Sequence, residues 1–181
     1  MVKTAAGILA GGKSSRMGKN KASLTWNGDT FLHTLIDACR DFPEIYVSVD
    51  DREKYRDLSC TLVEDEEKEY GPLEGIYQVL KQMDAPYAVM LATDMPMISR
   101  EFLKALVSNI TGEEDCLVLR REGRPQPLCS VYAKKDSACC GAYAQKPGAQ
   151  ARTFVSAGQY TVSGFGGAGI RRGGHCKCKY V

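Results

Sequence analysis

The sequence has no apolar run approaching the length of a membrane span, no Cys-x-x-Cys pair, and only 2 histidines. The first absence excludes a membrane-spanning helix and leaves no membrane partner to expect. The second argues against a disulfide framework, although the chain holds 8 cysteines. Cys39, Cys60, Cys116 and Cys129 stand singly in apolar surroundings, where a free thiol behaves as a small hydrophobe. Cys139 and Cys140 are adjacent, and Cys176-x-Cys178 follows His175 in a glycine-rich stretch that supplies too few ligands for a closed metal site. This usage is that of a reducing, cytoplasmic chain. With His33 on an apparent helix, no Ser/His/Asp or Cys/His set is present, which argues against covalent acyl chemistry. A large charge of one sign is also missing: 24 Lys and Arg face 22 Asp and Glu, a net charge of +2. Coating a nucleic acid needs a concentrated basic face, so no nucleic-acid partner is expected, while a local anion site stays open. Met1 to Thr4 lead straight into a strand-like run, so no signal peptide is expected.

At 181 residues and 19.8 kDa the chain fits one compact domain, or a domain with an appended tail. Its apolar pattern alternates between strand and helix. Residues 4–10 read as a buried strand and 30–41 as an amphipathic helix. Strands follow at 45–49 and 60–63. Gly71-Pro72 opens a helix bearing Ile76, Val79, Leu80 and Met83 on one face. The continuous apolar run 87–92 suits a strand covered on both faces. A helix on Phe102, Leu103, Leu106 and Val107 comes next, then strands at 116–119 and 129–132. This alternation predicts a mainly parallel sheet flanked by helices, the doubly wound α/β architecture. The texture changes after about Pro147. Residues 148–181 hold nearly half of the chain's 18 glycines and no Asp or Glu. They read either as a basic flexible tail or as sequence from a shifted reading frame.

Three strand ends could carry chemistry. After the first strand, Gly11 and Gly12 let backbone N–H groups approach phosphate oxygens, and Lys13, Arg16, Lys19 and Lys21 bring positive charge. Gly7 to Ser14 also satisfies the Walker A pattern to the letter. However, the residues after Lys13-Ser14 lack an apolar stripe and include the helix-breaking Gly18. A P-loop needs a helix there, so the match reads as accidental. Asp94, at the end of the run 87–92, is placed to hold a hard cation such as Mg²⁺ with nucleotide phosphates completing the shell. Alone it would read better as a turn or helix cap before Pro96, and it is the phosphate loop at another strand end that favours the metal role. Asp65, at the third strand end, is a second carboxylate, with a solvated acidic loop as an equally good reading. Gly71 to Gly75 could expose backbone donors towards a base or sugar or be a plain turn, and Arg124 to Leu128 could border a pocket or merely set an edge.

Together these segments resemble a known family. Leu9-Ala10-Gly11-Gly12-x-Ser14-x-Arg16-Met17-Gly18-x-x-Lys21 is similar to the signature of nucleotidyltransferases with a Rossmann-like, GT-A-type fold. Gly71-Pro72-Leu73-x-Gly75-Ile76, Asp94-Met95-Pro96 and Gln126-Pro127-Leu128 narrow the resemblance to the molybdenum cofactor guanylyltransferase (MobA) family, in order over residues 5 to about 135. It implies a three-layer Rossmann-like fold with a mainly parallel sheet, GTP and molybdopterin or its molybdenum-bound form as substrates, and the guanine dinucleotide cofactor and pyrophosphate as products. Leu9, Ala10 and Gly11 would contact the nucleotide through backbone, Lys21 and Asp65 would also bind GTP, and Asp94 matches the Mg²⁺ ligand. Arg16 and Gly12 match the phosphate-gripping part. Transient contact with cofactor-synthesis or acceptor enzymes is a further expectation.

Residues 1–147 would then be the transferase domain and 148–181 an atypical C-terminal segment. Family members usually end in an Asn-Thr-Pro-x-Asp-like stretch that 148–181 lacks. Two other readings stand beside the enzyme: a P-loop hydrolase or kinase, and a non-catalytic GTP-binding remnant of the fold. A sugar-1-phosphate nucleotidyltransferase is a related alternative, disfavoured by Gly-Pro-Leu-x-Gly and small size.

Overall fold

A computed structural model describes residues 2–11, 25–26, 28–66, 71–95, 97–138, 160–163 and 176–180. Strand β1 (Thr4–Leu9) is followed by a small hairpin of β2 (Thr25–Trp26) and β3 (Asp29–Thr30), then helix α1 (Phe31–Ala38). Strands β4 (Ile45–Val49) and β5 (Thr61–Glu64) lead to α2 (Pro72–Gln82), β6 (Tyr87–Ala92) and α3 (Arg100–Val107). Strands β7 (Cys116–Arg121), β8 (Arg124–Ala133), β9 (Tyr160–Ser163) and β10 (Cys176–Tyr180) complete the order. Side-chain oxygens start two of the helices: Thr30 accepts from His33 N, and Ser99 from Phe102 N. Helix α2 starts on Gly71, with Pro72 in its first turn, where the missing N–H has no intrahelical partner to lose.

The main sheet runs β5-β4-β1-β6-β8-β7-β10-β9. Strand β1 pairs in parallel with β4 and β6, and β4 in parallel with β5. Strand β8 is antiparallel to both β6 and β7, so the sheet is mixed but mostly parallel. Alternation along the strands splits the core into two layers. Ala5 and Leu9 face α2, where they meet Leu73, Ile76, Val79 and Leu80. Ala6, Ile8 and Ala10 face the other way, towards Leu32 and Leu35 of α1 and Leu103 and Leu106 of α3. Helices therefore cover both faces, as the alternating pattern predicts.

One expectation needs correction. The strand read at 129–132 begins at Arg124 and is 10 residues long, because the hairpin with β7 continues past an irregularity in the ladder. The segment after Pro147 contributes two strands, with β10 parallel to β7 and β9 parallel to β10. Residues 139–159 and 164–175 lie outside the described residues. The Walker A alternative also fails on position. Gly7 lies inside β1, opposite Met90, and a Cβ there would come 2.6 Å from the Met90 sulfur. Ile8 and Leu9 are still paired strand residues, so the described part of the pattern is strand and not loop. Lys13 and Ser14 lie outside the described residues.

Candidate active site

Strand order places the crevice. The chain leaves β1 for β4 and β5 on one side, then crosses back to β6 on the other. The topological switch therefore lies between the carboxyl ends of β1 and β6, where open α/β sheets bind ligands. Leu9, Ala10 and Gly11 stand at one lip and Asp94 at the other.

On the β4–β5 side the parts are tightly joined. The backbone N–H groups of Ala10 and Gly11 both donate to the Ser48 carbonyl, at 2.8 and 2.9 Å. The Ser48 hydroxyl donates to Asp65 Oδ1 at 2.8 Å, and Asp65 N donates to the Val49 carbonyl at 3.1 Å. A Cβ on Gly11 would come 2.8 Å from Asp65 Oδ2, so the glycine admits the carboxylate beside the turn. Gly75 does the same for α2: a Cβ there would lie inside contact distance of Ser48 Oγ and 2.8 Å from Leu9 Cδ2. The structure thus brings Leu9, Ala10, Gly11, Asp65 and Gly75 together around Ser48, a residue sequence reasoning passed over. Its only signal was a polar residue in the otherwise apolar strand 45–49.

Burial pushes the Asp65 carboxyl up to about 6, with repulsion from Glu74, Asp50 and Glu64 adding to the effect and the Ser48 hydrogen bond opposing it. Glu74 and Gln78 were also missed. Both are buried, and Gln78 Nε2 donates to Glu74 Oε1 at 2.7 Å. Their spacing of four on α2 was the legible sign.

Asp94 follows β6 and is exposed. It rims a cleft of about 480 Å³ whose lining includes Met97, Phe102, Leu119, Gln126 and Cys129. Asp65 and Asp94 sit at the ends of β5 and β6, three strand spacings apart in the sheet, or roughly 14 Å. That span suits an extended nucleoside triphosphate. Gly12, Arg16 and Lys21 lie outside the described residues, as does Pro96. Among the described residues no cluster of three or more His, Cys, Asp or Glu could cage a metal. Mg²⁺ does not require one, because it is commonly held by one or two carboxylates plus substrate phosphates, and Asp94 fits that role. Among the described residues no helix is long and apolar enough to cross a membrane.

Comparison with known proteins agrees with this geometry. Residues 6–161 match the MobA-like NTP transferase domain. The chain is 37% identical over 135 residues to the probable molybdenum cofactor guanylyltransferase of Clostridium perfringens, an alignment covering 74% of this chain and 68% of that one. It shares its fold, with a TM-score of 0.75 at 17% identity, with molybdopterin-guanine dinucleotide biosynthesis protein A from Archaeoglobus fulgidus, over 98% of this chain and 82% of the other. A manganese complex of Rv0371c from Mycobacterium tuberculosis H37Rv superposes with a TM-score of 0.64 at 14% identity, over 99% and 88% of the two chains. The strand-end crevice, the ordered motifs around it and the match over residues 6–161 have one explanation: the chain belongs to the MobA-like NTP transferase family and is a nucleotidyltransferase.

Proposed function

We propose that this chain transfers GMP from GTP to the terminal phosphate of molybdenum-bound molybdopterin, or molybdopterin itself, in the cytoplasm, releasing pyrophosphate and forming the guanine dinucleotide cofactor. The observation that carries the reading is the 37% identity over 135 residues to a probable molybdenum cofactor guanylyltransferase. Residues 1–147 form the catalytic domain. Leu9, Ala10 and Gly11 line the nucleotide, with Gly11 packed against the Asp65 carboxylate that also binds it. Gly12, Arg16 and Lys21 grip phosphates. Asp94 holds Mg²⁺, which when bound supplies Lewis-acid polarisation of phosphate oxygens. The cleft beyond Asp94 receives the acceptor.

A phosphate oxygen of the acceptor forms the new bond to the α-phosphorus of GTP in line, while the bond from that phosphorus to the β-phosphate bridging oxygen breaks. Pyrophosphate carries away the electron pair. The nucleophile is already an oxyanion, so no strong general base is needed. The chain's task is to align two anions and neutralise charge, which falls to Arg16 and Lys21.

Calorimetry of GTP with Mg²⁺, followed by pyrophosphate release on adding molybdopterin, tests the reading. Wild type binds GTP and releases pyrophosphate only with acceptor present. Asp94→Ala loses release by about two to three orders of magnitude, and Lys21→Ala weakens GTP binding. Saturable GTP binding with no release under any acceptor would instead identify a non-catalytic remnant. Loss of binding in Lys13→Ala but not Lys21→Ala would restore the P-loop reading.

A further inference from the structure

The Gln126-Pro127-Leu128 motif is a large bulge, and two hydroxyl groups of its own strand hold it in place. Between the pairs Val118↔Ser130 and Arg120↔Pro125, β7 advances two residues and β8 advances five, so β8 carries three extra residues opposite Leu119. Within this interruption Leu119 N–H donates to Ser130 Oγ at 3.3 Å. The same hydroxyl donates to the Gln126 carbonyl at 2.6 Å. Two residues on, the Tyr132 hydroxyl donates to the Pro127 carbonyl at 2.9 Å. Ser130 and Tyr132 are both fully buried, in register with Met90 and Ala88 of β6. They are anchored in the sheet, and the bulge is tied to them.

This bulge has a consequence for the cleft. Bulges beside active sites commonly re-aim a side chain. Here the displaced residues bring Gln126 and Cys129 into the lining of the cleft that Asp94 rims. Most of the lining is apolar, with Met95, Ile98, Phe102 and Leu119, and Gln126 is its carboxamide. Its Nε2 donates to the Arg124 carbonyl at 3.3 Å, which orients the amide plane. A mainly apolar slot with one oriented carboxamide, whose other polar lining is Asp94, Ser99 and Arg121, is matched to a flat heterocycle that has an amide-like donor–acceptor edge. The Cys129 thiol, pushed up to about 11 by burial, stays neutral and adds to the apolar floor.

We propose that Gln126 reads the amide-like edge of the acceptor's pterin ring in this cleft, and that Ser130 and Tyr132 are positioning residues that hold Gln126 for that contact. The inference rests on the acceptor being a molybdopterin. Ser130 and Tyr132 touch no substrate; they act through the carbonyls of Gln126 and Pro127.

Anaerobic calorimetry with molybdopterin and separately with GTP tests this on wild type, Gln126→Ala, Tyr132→Phe, Ser130→Ala and the Gln126→Ala/Tyr132→Phe double variant. Tyr132→Phe removes one oxygen atom and keeps the ring, so it serves if Ser130→Ala fails to fold. Each single variant is expected to weaken molybdopterin binding by about three- to tenfold, the range of one lost hydrogen bond, with GTP affinity unchanged. The double variant is expected to be no weaker than Gln126→Ala, since Tyr132 acts through the residue already removed. In turnover, Tyr132→Phe should raise the acceptor KM more than it lowers kcat. Folded variants that bind molybdopterin like wild type would overturn the proposal and leave the transferase reading intact. Additive losses in the double variant would overturn the positioning role. Wild type that binds GTP but not molybdopterin would overturn both readings.

Discussion

Gly75→Ala sets two effects of opposite sign against each other. Gly75 lies within α2, where alanine is ordinarily the better residue by about 1 kcal/mol. At this position the added methyl would meet Ser48 Oγ inside contact distance, Ser48 Cβ at 3.1 Å and Leu9 Cδ2 at 2.8 Å. Neither neighbour yields easily. Ser48 belongs to β4 and is hydrogen-bonded to Asp65, and Leu9 is a buried core residue of β1. Overpacking of this kind costs about 1–3 kcal/mol, and losing the hydrogen bond to a carboxylate costs about 1.5–3 kcal/mol where it breaks. The overlap wins, for a net loss of about 0–2 kcal/mol where the hydrogen bond survives and about 1.5–5 kcal/mol where it breaks. Function should fall with it, because Ser48 fixes both the Ala10–Gly11 turn and Asp65. GTP affinity is expected to drop by about tenfold. Urea unfolding and GTP calorimetry measure the two quantities. Shortening Ser48 to alanine first should make Gly75→Ala much milder, since the hydroxyl is one of the atoms struck. If Gly75→Ala stabilises the protein by about 1 kcal/mol and leaves GTP binding alone, the close contact between α2 and β4 described above is wrong.

Two further predictions follow from carboxylates moved in opposite directions. Asp65 is held up at about 6, above its ordinary value of 3.8, so its charge opposes folding: stability is greatest where it is protonated and falls as pH rises from 3.8 through 6. Asp65→Asn should remove that slope and raise the urea midpoint at pH 8, while weakening GTP binding; in wild type, GTP affinity should decline below about pH 6 as the carboxylate takes up its proton. Glu44 is the reverse case. Burial pushes it up, but donation from Lys3, Asp84 N, Ala85 N and the Tyr46 hydroxyl outweighs this and holds it down at about 2. Its contribution is present above about 4.5 and lost as pH falls towards 2. Glu44→Gln should cost up to about 3 kcal/mol at pH 7, a difference that disappears in acid unfolding; an unchanged acid transition would contradict it.

The elements that were legible in the sequence are those whose burial is regular. Tyr87 to Ala92 is apolar throughout because both faces of β6 are covered, and Ile76, Val79, Leu80 and Met83 share a stripe because α2 lies flat on the sheet. The candidate site was legible where glycine or a strand-end carboxylate marks it, as at Gly11, Gly75, Asp65 and Asp94. What escaped notice is held by relations between distant residues. Ser48 is one serine in a strand until β5 brings Asp65 across to it, 17 positions later in the chain. The bulge at Gln126 escaped for the same reason: an interrupted ladder is a property of two strands, and Ser130 read alone is a polar residue in an apolar run. Strands β9 and β10 do alternate, as Tyr160-Thr161-Val162-Ser163 and Cys176-Lys177-Cys178-Lys179-Tyr180, but runs of four and five residues in a glycine-rich stretch are too short to stand out.

The central claim is guanylyl transfer to a pterin phosphate, and the most direct measurement follows the α-phosphorus. Incubated with molybdopterin and Mg²⁺, the wild-type protein should move the label of α-labelled GTP into a guanine dinucleotide product, one pyrophosphate released per transfer, while Asp94→Ala does both about two to three orders of magnitude more slowly. Label that stays in GTP, or that appears as free GMP or GDP whether or not molybdopterin is present, would contradict the account.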